Sequence, residues 1–328
     1  MPPRSTSAPD EGLFDSDGLR IHFRAWHPSA TPRAVVVIVP GFNAHSAYYA
    51  WAAEQLVADR FAVYALDLRG RGLSDGERFY VDTFDDYVAD VTRFVALAKS
   101  QEPAVPIFLL GHSAGGVVAS LFTIDHQADL AGFICESFAY QLPAPDFALA
   151  VFKGLSHVAP HAHILHLKNE DFSRDPQTVA AMNADPLIAH ETQPTRTLAA
   201  MVRADERLKD AFPRITLPVL ILHGTADKAT KPSGSQFFYD TVGSSDKTLK
   251  LYDGGFHDPL NDIGREWSRG TSRHGSQRAL RSDKESANDS QVDEGHLHSK
   301  CRVHRHPLRD RTRAGTGPPR QEHRAATR

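Results

Sequence analysis

The octapeptide Leu109-Leu110-Gly111-His112-Ser113-Ala114-Gly115-Gly116 constrains this chain more than any other stretch. Residues 107–110 form a short apolar run of buried-strand character, and residues 117–122 continue as an apolar helix face. Between them the backbone must reverse within about five residues, as a G-x-S-x-G turn demands. Gly111 and Gly115 leave room for strand and helix to pass closely where a Cβ would clash. Ser113 is then forced into a strained conformation, with its hydroxyl at the carboxyl edge of a sheet and at the positive end of a helix dipole. That position suits a nucleophile. A plain Gly/Ser turn shares the five-letter pattern, but the flanking apolar strand and helix favour the reactive reading.

Upstream, residues 19–26 alternate apolar and polar side chains like a half-exposed opening strand. Residues 34–39, Ala-Val-Val-Val-Ile-Val, read as a strand buried on both faces of a parallel sheet. They run into Pro40-Gly41-Phe42-Asn43-Ala44-His45-Ser46, small and polar enough to expose backbone N–H groups. A helix is expected over 49–58, a strand over 61–66 and a glycine-punctuated loop over 67–76. That loop completes no G-x-G-x-x-G and opens no helix at its glycines, so no dinucleotide cofactor is expected. Phe84, Tyr87, Val88, Val91, Phe94, Val95 and Ala98 recur at helical spacing as one buried face. The alternation predicts an α/β fold, a mostly parallel, doubly wound central sheet flanked by helices with its site at the strands' carboxyl ends.

With 328 residues, 41% of them hydrophobic, the chain has room for one large α/β domain and an insertion. The strands expected over 131–135 and 218–223 lie too far apart for a structureless connection. Residues 138–212 therefore read as a helical lid inserted after the sixth strand, between core segments 13–137 and 213–266. Phe147, Leu149, Val151, Phe152, Leu155 and Val158 offer an apolar lining for a greasy substrate, though most of them suit the lid's own core equally well. His157, His161, His163 and His166 match no zinc-ligand spacing, so no metal is expected.

A serine nucleophile needs a base, and the base an orienting acid. The strand over 219–222 leads into His223-Gly224-Thr225-Ala226-Asp227, and a strand over 248–252 leads into Asp253-Gly254-Gly255-Phe256-His257-Asp258-Pro259. Ser113, Asp227 and His257 thus each follow an expected strand. His223 is a rival base that precedes the acid. Asp253 and Asp258 are rival acids, both too close to His257 in sequence to reach its far ring nitrogen comfortably.

From about residue 17 to 266 the chain resembles the monoacylglycerol lipase and lysophospholipase branch of the α/β-hydrolase (serine hydrolase) superfamily. Residues 40–46 resemble that branch's H-G-x-G-x-H-S loop, 67–76 its D-x-R-G-x-G-x-S-x-G loop, 111–116 its G-H-S-x-G-G elbow and 224–227 its acid loop. Ser, Asp, His is also the chain order of that superfamily. The resemblance implies Ser113 as nucleophile, His257 as base and Asp227 as orienting acid. It implies an oxyanion hole from the backbone N–H groups of Phe42 and Ala114, with Gly111, His112 and Gly115 shaping the elbow. The implied reaction is cofactor-free, two-step hydrolysis of a single-chain lipid ester, foremost a monoacylglycerol. A lysophospholipase or general carboxylesterase is the near alternative, and an acyltransferase would use the same triad.

Two departures stand out. Pro40 replaces the family's histidine and Asn43 its glycine, which bears on the shape of the oxyanion loop. After Glu266 the family's closing amphipathic helix gives way to a polar stretch. From Trp267 onward 14 Lys/Arg face 7 Asp/Glu, against 23 and 33 before it. Residues 267–328 therefore read as a basic, disordered tail, and residues 1–12 as a disordered N-terminus without the apolar core of a secretory signal. The break suggests a reading-frame shift near Arg265, which translation of the other two frames tests; neither frame restoring an amphipathic helix would rule it out. A genuine tail admits a further reading, a binding protein whose basic segment contacts anionic lipid or nucleic acid, although no specific nucleic-acid partner is expected. Two distant cysteines, Cys135 and Cys301, imply no disulfide framework. A cytoplasmic protein is expected, peripheral to a membrane, with transient surface contact through the lid.

Overall fold

Side chains alternate across a strand, so the run at 34–39 sends Val35, Val37 and Val39 to one face of the sheet and Ala34, Val36 and Ile38 to the other. Both sets are buried, which requires helices on both faces. The computed structural model describes residues 8–140 and 146–265, and their side chains except those of 146–149 and 152. Its strands are β1 (Asp10–Ser16), β2 (Leu19–Trp26), β3 (Ala34–Val39), β4 (Phe61–Leu66), β5 (Ile107–His112), β6 (Gly132–Glu136), β7 (His163–His166), β8 (Thr192–Pro194), β9 (Val219–Gly224) and β10 (Lys247–Tyr252). Eight form one sheet in the order β1-β2-β4-β3-β5-β6-β9-β10. From β4 to β10 every pairing is parallel, and β1 and β2 add an antiparallel edge. The expected mostly parallel α/β sheet is thus present.

Helix α1 (Ala50–Ala58) covers one face through Ala52, Ala53, Leu56 and Val57. On the other lie α2 (Phe84–Gln101) and α3 (Ala114–His126). Helix α2 opens with a capping box, in which Thr83 accepts from the Asp85 N–H and Asp86 accepts from the Thr83 N–H. Its apolar face is the one expected, with Phe84, Tyr87, Val91, Phe94, Val95 and Ala98 buried and Val88 half-buried against them.

The inserted segment holds α4 (Asp146–Val158), α5 (Pro176–Ala184) and α6 (Thr195–Ala211). It differs from an all-helical lid in two ways. Strands β7 and β8 pair as an antiparallel ribbon. Helix α6 buries Ala200, Met201, Ala204, Leu208 and Ala211 in the same apolar cluster as α3, because its apolar stripe matches the sheet's helix layer. The expected apolar lining also needs correction: Val151, Leu155 and Val158 are 59%, 37% and 84% exposed. The side chains of Phe147, Leu149 and Phe152 lie outside the described residues. Helix α7 (Pro232–Thr241) completes the helix layer through Phe238.

The N-terminal expectation fails for Asp10 to Gly12, which lie in β1 and pair with β2. The cause is a hairpin turn at Asp17-Gly18, both at positive φ (55° and 80°), the pair such two-residue turns favour. Residues 1–7 and 266–328, and with them the expected tail, Cys301 and the break after Glu266, lie outside the described residues.

The edge hairpin is fixed by aromatic packing, since Phe94 of α2 stacks on Phe14 of β1 at 5.5 Å and meets Phe23 of β2 at 5.6 Å. Phe94→Ala should cost roughly 3–5 kcal/mol of stability, read by urea unfolding. A loss below about 1 kcal/mol would mean the hairpin docks by other contacts.

Candidate active site

Strand β5 ends at His112 and α3 starts at Ala114, leaving Ser113 alone in the turn at φ 54° and ψ −122°. A left-handed φ on a non-glycine residue stores strain of order 1–3 kcal/mol. Its neighbours show why the backbone comes so close. A Cβ on Gly115 would stand 2.1 Å from the Val39 carbonyl oxygen, one on Gly111 2.6 Å from the Gly115 carbonyl oxygen, and one on Gly41 2.7 Å from the Ser113 Cβ. Phe42, the residue after Gly41, is thereby brought beside Ser113, and Ala114 follows it at the start of α3.

The structure brings the three expected residues together from three loops. The Ser113 hydroxyl donates to His257 Nε2 at 2.8 Å, and His257 Nδ1 donates to Asp227 Oδ2 at 2.8 Å. Asp227 follows β9 and His257 follows β10. The carboxylate is fully buried and held by several donors. Its Oδ1 accepts from the Ala229 and Thr230 N–H groups, and its Oδ2 also from the Thr230 hydroxyl and from His223 Nε2 at 3.0 Å. Burial opposes the charge, but His257 and the hydrogen bonds from both histidines outweigh it and hold the carboxyl well below the usual range. His223 is therefore a support for the acid: its Nδ1 accepts from Ser235, and burial lowers its pKa, partly offset by Asp227. Asp253 accepts from the Thr225 hydroxyl and takes no part.

A second layer holds the histidine loop. His112 Nε2 donates to the His257 carbonyl at 3.2 Å, while its Nδ1 accepts from Tyr49 at 3.3 Å. Burial brings the His112 pKa down to about 4, so the ring is neutral. Glu136, at the end of β6, accepts from the Leu260 N–H, and Asp258 accepts from the Asn261 side chain. Among the described residues, His112, Glu136 and Asp258 are the group whose polar atoms could hold a metal ion, all within 4.8 Å of one another. Both ring nitrogens of His112 are already engaged. Burial, then Asp258, also pushes the Glu136 carboxyl well above the usual range, which disfavours the anionic form that binds a cation. The lid histidines have separate partners, Glu77 for His161, the Thr192 carbonyl for His163 and the Glu191 carbonyl for His166, while His157 is exposed. Neither Glu136 nor Phe172, whose ring meets His257 edge-on at 4.8 Å from the inserted segment, carries a sequence signal. Ser113 is 6% exposed and His257 0%.

The loop at 40–46 is anchored to that at 67–76. Asp67 accepts from the Ser46 and Leu73 N–H groups and contacts His22 Nδ1 at 3.1 Å. Burial alone would raise its pKa, but His22 and these N–H groups bring it to about 2. Asn43 sits at φ 52°, a conformation in which asparagine is the best substitute for the family's glycine. Its side chain donates to the Leu167 carbonyl and to Asn169.

Residues 30–264 match the Hydrolase_4 family model, described as serine aminopeptidase S33. The chain is 31% identical over 260 residues to the monoacylglycerol lipase of Mycolicibacterium smegmatis, covering 79% of this chain and 93% of that protein. It is 33% identical over 248 residues to the monoglyceride lipase of Homo sapiens, covering 75% and 82%. Among solved structures, the monoacylglycerol lipase of Paleococcus ferrophilus superposes with a TM-score of 0.69 at 27% identity, over 79% of this chain and 98% of that one.

Two outcomes test this geometry. Gly115→Ala should abolish soluble, folded protein, because its Cβ meets backbone oxygens that cannot yield; a folded, active variant would mean the turn is looser than described. For Asp67, the folded pKa of about 2 lies below the ordinary 3.8. Its contribution is therefore present above about pH 4 and lost as pH falls towards 2, about 2 kcal/mol in all. Asp67→Asn should shrink by that amount the stability difference between about pH 5 and pH 2 in urea titrations. An unchanged difference would place the acid sensitivity elsewhere.

Proposed function

The chain belongs to the Hydrolase_4 family, serine aminopeptidase S33, with the α/β-hydrolase fold, and on that premise we propose that it hydrolyses monoacylglycerols through an acyl-enzyme on Ser113. The observation that carries this reading is the continuous hydrogen-bond chain from Ser113 through His257 to Asp227, both links 2.8 Å. His257 Nε2 takes the hydroxyl proton as Ser113 Oγ attacks the ester carbonyl. The Phe42 and Ala114 N–H groups receive the oxyanion, helped by the α3 dipole, each such donor being worth about 3–4 kcal/mol of barrier. His257 then protonates the departing glycerol oxygen. In the second half, His257 takes a proton from water as it attacks the acyl group, then returns that proton to Ser113 Oγ as the acyl–oxygen bond breaks and the fatty acid leaves. Asp227 keeps the His257 tautomer and stabilises the imidazolium.

The substrate class follows the lipase relatives, and the exposed side chains of the inserted segment agree with it. Val151, Leu155 and Val158 recur at i, i+4 and i+7 on α4, an apolar stripe facing outward that suits transient contact with a lipid surface. No helix among the described residues is long and apolar enough to cross a membrane. The protein would then meet its substrate from the water side, as a peripheral cytoplasmic enzyme.

Ser113→Ala should abolish fatty-acid release from a monoacylglycerol while leaving the unfolding midpoint close to that of the unaltered protein. Asp227→Asn should lower kcat by about 10⁴-fold through the wrong tautomer. Retained hydrolysis in the serine variant would overturn the assignment, and acyl transfer to an added alcohol in preference to water would make the enzyme an acyltransferase.

A further inference from the structure

The residue after Phe42 is gripped from above. The Asn43 N–H donates to Glu191 Oε1 at 3.0 Å, and Glu191 comes from the inserted segment, just before β8. The same carboxylate oxygen accepts from Arg71 Nη1 and from the Gln193 side chain. Arg71, in the glycine-punctuated loop, also donates to Gln193 Oε1 at 2.8 Å and lays its guanidinium on the Phe42 ring, 4.0 Å from the centroid. Arg71 and Glu191 are each only 1% exposed.

We propose that Arg71 and Glu191 are positioning residues that hold Phe42 in the shape its oxyanion-donating N–H requires, so that the inserted segment is a working part of the oxyanion hole. The proposal rests on the assignment of Phe42 to that hole. Phe42 has two soft backbone dihedrals. Pinning the Asn43 N–H fixes the peptide after Phe42, and the stacked guanidinium restrains its side chain. Gly41, pressed against Ser113, fixes the peptide before it. Stability alone gives weak reason for such a pair, since a buried ion pair is often matched or exceeded by apolar residues of similar volume. Here the carboxylate serves a backbone N–H of the reactive loop. Asn43 adds two further bonds to the same segment, and His45 Nε2 bonds Asp185 at 2.8 Å. The departure of Asn43 from the family's glycine fits this: its side chain is used to clasp the segment over the loop.

The test compares the full chain with the double variant Arg71→Met/Glu191→Met and with Glu191→Gln. The double variant removes both buried charges together and leaves no lone ion inside. A fluorophosphonate titrates reactive Ser113, and kcat, KM and inhibition by a long-chain trifluoromethyl ketone, which forms the tetrahedral oxyanion, are read per titrated site. The double variant should lose about 10- to 100-fold in kcat with KM within about twofold, and bind the ketone weaker by the same factor. Glu191→Gln, which keeps an oxygen for the Asn43 N–H, should recover kcat to within about threefold of the unaltered protein. A double variant whose kcat per site and ketone affinity both stay within about twofold overturns the proposal. Failure of the fluorophosphonate to label Ser113 in the unaltered protein would instead overturn the catalytic reading beneath it.

Discussion

The close approach of α3 to the carboxyl ends of β3 and β5 is the constraint on which the rest of the structure depends. It exists because Gly111 and Gly115 lack side chains, and it leaves Ser113 no conformation but a left-handed one. Three backbone hydrogen bonds hold the residue there: its N–H donates to the Glu136 carbonyl, and its own carbonyl accepts from Gly116 and Ala139. The strain is offset by the apolar core on either side, where Leu109, Val117 and Val118 are fully buried. The strained turn at Ser113 is thus a by-product of helix–sheet packing, and the other loops have only to reach the point that packing defines.

Reaching it sets a second problem, a negative charge inside the protein. The Asp227 carboxylate accepts from His257 Nδ1, yet it has no exposed surface. Backbone N–H groups, the Thr230 hydroxyl and two histidines replace the water it has lost. Glu136, equally buried, has one N–H donor and the neighbouring Asp258, and its carboxyl is driven the other way. The pKa values of two carboxyl groups at adjacent strand ends are therefore driven in opposite directions, by the charges and donors that face each one.

Much of this was legible in the sequence because Ser113 directly follows a buried apolar strand, while Asp227 and His257 lie in the loops just after β9, an apolar run, and β10, an alternating edge strand. Ser113, Asp227 and His257 could be placed on strand ends before their distances were known. The hairpin at β1 carries a signal too, Asp17-Gly18, but the first three residues of β1, Asp10-Glu11-Gly12, are not apolar and read as the end of a disordered terminus. Helix α6 reads as part of the lid because a linear pattern does not tell which layer an amphipathic stripe will join. Arg71 and Glu191 stand 120 positions apart, and nothing in either neighbourhood marks them as partners. Pairings of that kind depend on how the inserted segment settles over the sheet, which local pattern does not encode.

Cys135 lies in the middle of this arrangement, on β6 and fully buried, its sulfur against Gly116 at the start of α3. Burial, and then the adjacent Glu136, pushes its thiol well above the ordinary range. Alkylation of Cys135 thus has to wait until α3 separates from the sheet. Its labelling rate is a chemical clock for the opening of the packing that strains the Ser113 turn, and it runs without any substrate being turned over.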